Sequence, residues 1–150
     1  MTREEFIGVL EKKGYSYNLE GNKIVVTRNS GVYLGSLKTL PSGVEFENGG
    51  DVYLGSLETL PPGVEFKNGG YVNLESLKTL PPGVEFKNGW YVDLRSLETL
   101  PSGVEFKNEG PVDLRSLIGG FFNKWDGNID GVEPKRLLNK MISMGMFDRR

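Results

Sequence analysis

The chain has 150 residues, a length that suits one domain of ordinary size, and a net charge of −2 from 18 basic and 20 acidic side chains. That balance gives no strong electrostatic case for nucleic acid or anionic membrane. There is no His and no Cys, which excludes disulfides, thiolate metal sites and the common nucleophile–base arrangements. No apolar run approaches the ~20 residues of a membrane span. The opening "MTREEFIGVL" carries acidic residues where a signal peptide is basic. Cytoplasmic residence is the expectation.

In chain order, "TREEFIGVLEKKG" predicts a helix. Thr2 and Glu5 form a capping box, Gly14 a C-terminal stop, and Phe6, Ile7, Val9 and Leu10 an apolar side. "YSYNLEGNKIVVTR" predicts a hairpin turning at Gly21-Asn22, with Ile24 in register with Val44 and Val26 with Phe46.

A phrase then recurs every twenty residues. "LPPGVEFKNG" stands at 60–69 and again at 80–89, with near copies at 40–49 and 100–109. Val32, Val52, Val72, Val92 and Val112 align, as do Leu34, Leu54, Leu74, Leu94 and Leu114. A fixed period of this kind means stacked units, none of which buries its apolar face alone. Within a unit, V-x-L and V-E-F alternate with period two, so the segments are short strands. Pro and Gly turn the chain between them. The fold class expected is mainly β: a β-solenoid of about five twenty-residue coils. Asn48, Asn68, Asn88 and Asn108 fall at a corner, where stacked amides can satisfy turn backbone.

The pattern L-x-x-L-P-x-G-V-x-F-x-N-x-G-x-V-x-L resembles short bacterial leucine-rich repeats. It resembles more closely the small G-V-x-F-x-N-x-G-x-V-x-L-x-S-L-x-x-L-P repeat proteins of bacterial and phage genomes. The resemblance covers about residues 31–117 and implies a scaffold that binds protein. It departs from standard leucine-rich repeats, which read L-x-L-x-x-N where this chain has V-E-F-x-N, so a straighter solenoid than the horseshoe is expected.

Residues 1–30 read as an N-terminal helix and hairpin cap, 31–117 as the solenoid, and 118–150 as a C-terminal loop and helix cap. Pro134 suits the first turn of that last helix, which carries Leu137, Leu138, Met141 and Ile142. Phe121, Phe122 and Trp125 are expected to seal the last coil, and Asp148-Arg149-Arg150 to be a solvated tail. "DGNIDG" at 126–131 matches the opening of a calcium loop, but the twelfth position is Leu137, so a plain turn is expected and no metal or cofactor.

Glu45, Glu65, Glu85 and Glu105 form a like-charge ladder that Lys67, Lys87 and Lys107 can neutralise. Lys38, Glu58, Lys78 and Glu98 alternate in sign from coil to coil. These read as solvated charges, not as catalysts.

Variation between copies concentrates on the outward positions of x-V-x-L-x. Tyr33, Tyr53, Tyr71, Tyr91, Asp93, Arg95 and Arg115 lie there, and Trp90 sits at the edge. Tyr, Trp and Arg are the types most enriched at interface hot spots, and rings on a rigid sheet bind at low entropic cost. The first reading is therefore a non-enzymatic protein-binding scaffold. With the phage-like resemblance it becomes an inhibitor or adaptor of a bacterial protein machine such as a defence nuclease. The alternative is a nucleic-acid-binding solenoid using stacked Tyr with Arg95 and Arg115, which the near-neutral charge disfavours. A third reading, an enzyme or ligand sponge, has no residue constellation behind it.

Overall fold

The computed structural model describes residues 1–118 and 134–147. The chain is a β-solenoid of about four turns flanked by helices. The helix α1 (Arg3–Lys13) comes first, capped as expected: Thr2 accepts from the Glu5 backbone N–H, Glu5 returns a bond to the Thr2 N–H, and Gly14 closes the helix with φ 73°. The hairpin β1 (Tyr17–Glu20) and β2 (Lys23–Val26) follows, joined through Gly21 and Asn22.

Nine short strands complete the solenoid: β3 (Val32–Tyr33), β4 (Val44–Phe46), β5 (Val52–Tyr53), β6 (Glu65–Phe66), β7 (Val72–Asn73), β8 (Glu85–Phe86), β9 (Val92–Asp93), β10 (Glu105–Phe106) and β11 (Val112–Asp113). A single turn α2 (Arg115–Ile118) and the helix α3 (Pro134–Ser143) lie beyond them. The strands form two walls. One runs β1-β2-β4-β6-β8-β10 and the other β11-β9-β7-β5-β3. Apart from the hairpin, pairing is parallel and in register at a spacing of one repeat, so Val52 faces Val72 and Phe46 faces Phe66. The hairpin joins as its sequence foretells, with Ile24 opposite Val44 and Val26 opposite Phe46.

The core is thin and made of ladders. Phe46, Phe66, Phe86 and Phe106 stack with ring centroids 5.4, 5.3 and 5.2 Å apart, close to the spacing of adjacent strands. The Val and Leu columns around them are buried. Gly43, Gly63, Gly83 and Gly103 turn the chain after each Pro-containing phrase at φ 79–94°, which a side chain resists. A second glycine column allows close stacking: a Cβ on Gly69 would stand 2.4 Å from the Gly49 carbonyl oxygen. The last coil has Glu109 in that column. Its N–H bond to the preceding coil is 3.2 Å, against 2.9 Å in the copies above.

The corner asparagines do as their position suggests. Asn68 Nδ2 donates to the carbonyls of Gly50, Gly70 and Tyr71 at 3.1–3.3 Å, the first from the preceding coil and the others from its own. Asn48, Asn88 and Asn108 repeat the pattern. Only carbonyls surround the nitrogen, so a flipped amide would set oxygen against oxygen.

Both ends are covered. Phe6 and Leu10 of α1 are fully buried against the first coil, and Tyr15 Oη accepts from the N–H of Tyr33 on the edge strand β3. At the other end Asn139 of α3 takes the place of a neighbouring strand. Its Oδ1 accepts from the Phe106 N–H at 2.7 Å and its Nδ2 donates to the Phe106 carbonyl at 2.8 Å. Leu138 and Ile142 bury themselves beside it. The expectations for Phe121, Phe122, Trp125, the 126–131 segment and the 148–150 tail lie outside the described residues.

Candidate functional site

The variable face is the outer side of the wall β3-β5-β7-β9-β11, where short strands alternate an inward Val or Leu with an outward residue. The outward residues form three columns. Gly31, Asp51, Tyr71, Tyr91 and Pro111 make the first; Tyr33, Tyr53, Asn73, Asp93 and Asp113 the second; Gly35, Gly55, Glu75, Arg95 and Arg115 the third. The tyrosines switch columns half-way up, yet they form one continuous file. Tyr33 stacks on Tyr53 at 4.9 Å, Tyr53 meets Tyr71 at 5.8 Å with planes tilted by 58°, and Tyr71 stacks on Tyr91 at 5.0 Å. Trp90 flanks the file, 6.4 Å from Tyr71 and 6.2 Å from Tyr91. The aromatic residues singled out in the sequence are thus brought together.

The hydroxyls of Tyr53, Tyr71 and Tyr91 are turned to internal work. Tyr71 Oη donates to Asp93 at 3.1 Å and Tyr91 Oη to Asp113 at 3.0 Å, each reaching the carboxylate of the next coil. Tyr53 Oη donates to Asp51 of its own coil at 2.9 Å. Burial, and then the neighbouring carboxylates, raise the Tyr71 and Tyr91 phenols well above their ordinary value. The hydrogen bond to Asp51, and then burial, raise Tyr53.

Asp93 requires a correction. Strand alternation turns it away from the apolar core, which suggested an accessible contact residue. The structure leaves it 0% exposed and its counterpart Asp113 1% exposed. The tyrosine of the preceding coil covers each carboxylate, and an arginine two residues on closes the other side. Arg95 Nε lies 3.1 Å from both Asp93 oxygens and Nη2 2.6 Å from Oδ2, while the Arg95 backbone N–H donates to Oδ1. Arg115 holds Asp113 in the same way through Nε and its backbone N–H, each at 3.1 Å. Burial pushes the Asp113 carboxyl up, but the bonds from Arg115 and Tyr91 outweigh it and leave it below the usual range. The bond to Asp93 raises Arg95, which also approaches Glu75 at 3.7 Å. Asp93 and Asp113 are supports beneath the face, and Arg95 and Arg115 are half committed to them.

The accessible part is aromatic. Tyr33 is 53% and Trp90 58% exposed, and Tyr53, Tyr71 and Tyr91 are half-buried. The column switch opens a shallow cup lined by Asp51, Tyr53, Tyr71, Trp90 and Tyr91. Asp51 is not among the site residues that the sequence singles out. One signal was available: a Tyr in one coil has an Asp 22 residues on, at Tyr71/Asp93 and Tyr91/Asp113, and coils without that pairing must satisfy their polar groups otherwise.

The opposite wall carries the charge ladders. Lys67 bridges Glu45 at 2.6 Å and Glu65 at 3.1 Å, and Lys107 bridges Glu85 at 2.9 Å and Glu105 at 3.3 Å. Away from that wall, in the connecting segments, Lys38 and Glu58 pair at 3.6 Å. Glu45 departs from the solvated reading: it is 4% exposed, beneath Lys23 and Lys67. Burial works to raise its carboxyl, and Lys67 brings it net below the ordinary value. Among the described residues no group of acidic side chains is arranged to hold a metal ion, and no helix is long and apolar enough to cross a membrane. Comparison with protein-family models, with curated proteins and with solved structures gave no match to this chain.

Proposed function

We propose that this protein is a non-enzymatic scaffold that binds another protein through the outer face of β3, β5, β7, β9 and β11. The observation carrying the reading is the file of rings from Tyr33 to Tyr91 with Trp90 at its flank, standing open on a rigid wall. Rings held by stacking and by hydroxyl bonds lose little further freedom on binding, so contact area turns into affinity with small entropic loss. The repeat resemblance to bacterial and phage proteins supports a role as inhibitor or adaptor of a bacterial protein machine. Arg95 and Arg115 are tied to buried carboxylates, which weakens the nucleic-acid alternative, since phosphate contacts need free cations.

The test is capture from a bacterial lysate with matched variants. Wild type and the ladder variants Lys38→Ala and Lys78→Ala should retain the same partner, and Tyr33→Ala and Trp90→Ala should each weaken it by about 2 kcal/mol if they are hot spots. Loss in the ladder variants with retention in the ring variants would assign binding to the connecting segments that carry Lys38 and Lys78.

A further inference from the structure

The carboxylates of the variable face are not equivalent. Asp93 and Asp113 are each clasped by an arginine, and Glu75 lies beside Arg95. Asp51 has no cationic partner among the described residues. Its oxygens accept from Tyr53 Oη at 2.9 Å and from the Tyr71 N–H at 2.8 Å, two neutral donors that hold the carboxylate in place without cancelling its charge. This is also the carboxylate that lines the cup between Tyr53, Tyr71, Trp90 and Tyr91.

The rings there are arranged for the same kind of guest. Tyr53 and Tyr71 are inclined by 58° and Tyr71 and Trp90 by 55°, so the rings around the cup do not form one flat shelf. The hydroxyls of Tyr53, Tyr71 and Tyr91 all donate to carboxylates. A phenol that donates to a carboxylate shifts electron density toward its ring, which strengthens the negative face that attracts a cation. Donors spent inside the protein are also unavailable to a hydroxyl-rich ligand, so a sugar fits this cup less well than a cation. The charge of the whole face agrees: Asp51, Glu75, Asp93 and Asp113 oppose only Arg95 and Arg115.

The geometry points to a cation-binding cup, in which Tyr53, Tyr71, Trp90 and Tyr91 enclose and Asp51 neutralises an arginine or lysine side chain presented by the partner protein. The inference rests on the protein-binding reading for the source of that side chain. A guanidinium would lie in the cup against Tyr53, Tyr71 and Trp90 with its charge toward Asp51. Desolvation by the surrounding rings would strengthen both contacts.

The full-length protein can be titrated with the peptide acetyl-Gly-Arg-Gly-amide and with its citrulline counterpart, following the ring resonances of Tyr53, Tyr71, Trp90 and Tyr91 by NMR. The arginine peptide should give saturable shifts confined to those rings, and the uncharged citrulline peptide should bind about tenfold more weakly. Asp51→Asn keeps an acceptor for the Tyr71 N–H, so the fold should survive while affinity for the arginine peptide falls about tenfold. If that variant melts early, Trp90→Leu on the open rim replaces it in the comparison. Equal binding of the two peptides, or no shift with either, overturns the cup. Capture of a partner that is lost with Trp90→Ala but kept with Asp51→Asn overturns the cup and leaves the binding face standing. Arginine-peptide binding with no ring-dependent partner in the lysate supports the cup and overturns the protein source, and tetramethylammonium then tests a free cation in its place.

Discussion

Tyr33 and Tyr71 are the same residue type on the same wall, and they do different work. Tyr33 stacks on Tyr53 and is otherwise open to solvent, whereas Tyr71 is half-buried and donates to the fully buried Asp93. Changes at these tyrosines would all be nearly neutral for folding if the rings merely sat on the surface; the hydrogen bonds say otherwise. Tyr71→Phe removes one donor from a buried carboxylate and should cost about 1–2 kcal/mol in urea unfolding, while Tyr33→Phe should stay within about 0.5 kcal/mol. The same bonds set the response to alkali. The Tyr71 and Tyr91 phenols are raised above the ordinary value of 10.0, so the folded chain holds these protons more tightly than the unfolded one. Their contribution is fully present below pH 10 and is lost as the pH climbs beyond it. The melting temperature should therefore fall above about pH 10, and part of that fall should vanish in the Tyr71→Phe/Tyr91→Phe double variant.

Each coil is held by two ladders of opposite character. The Phe ladder is apolar and continuous through the core, and Phe86 touches a ring on either side at 5.3 and 5.2 Å. Phe86→Ala leaves a cavity that both neighbours border and should cost about 3–5 kcal/mol. The Asn ladder is polar, and it fastens the corner of one coil to the next. Asn68→Ala strips donors from buried carbonyls, and Asn68→Asp places an acceptor against three of them. Asp should therefore be the worse substitution, an order that chemical denaturation of the pair would check and that simple size would not give. Most of this was legible in the sequence, because an exact period fixes which residues stack: the hairpin register at Ile24 and Val26 could be read by alignment alone. The cover over Asp93 could not. Alternation tells which way a side chain leaves the strand, not what bends over it afterward, and the covering ring comes from Tyr71 in another column of another coil. Glu45 escaped for the same reason, since two lysines fold over it from neighbouring layers.

At the scale of the whole molecule, a solenoid is a stack in which each coil touches mainly the coils beside it, and only the ends differ. The ends here are closed by particular devices: the hairpin β1-β2 with α1 at the start, and Asn139 posing as a strand neighbour to Phe106 at the finish. The middle coils are interchangeable in their core positions, since Val, Leu, Phe and Asn recur at the same twenty-residue spacing. Removing residues 61–80 therefore joins Leu60 to Pro81 with every ladder still in register and both caps intact. The shortened chain should fold to the same strand-rich spectrum by circular dichroism, unfold cooperatively and melt at a lower temperature, because one interface between coils has gone. Removing residues 61–70 is the decisive contrast, although it deletes fewer residues. It brings Tyr71 directly after Leu60 and omits one side of a coil, so Val72 falls at the turn position of Pro62 and Ser76 at the core position of Phe66. That chain should fail to fold. If both deletions melt alike, the stack is not held by coil-to-coil register, and the ladders described here are not what stabilises it.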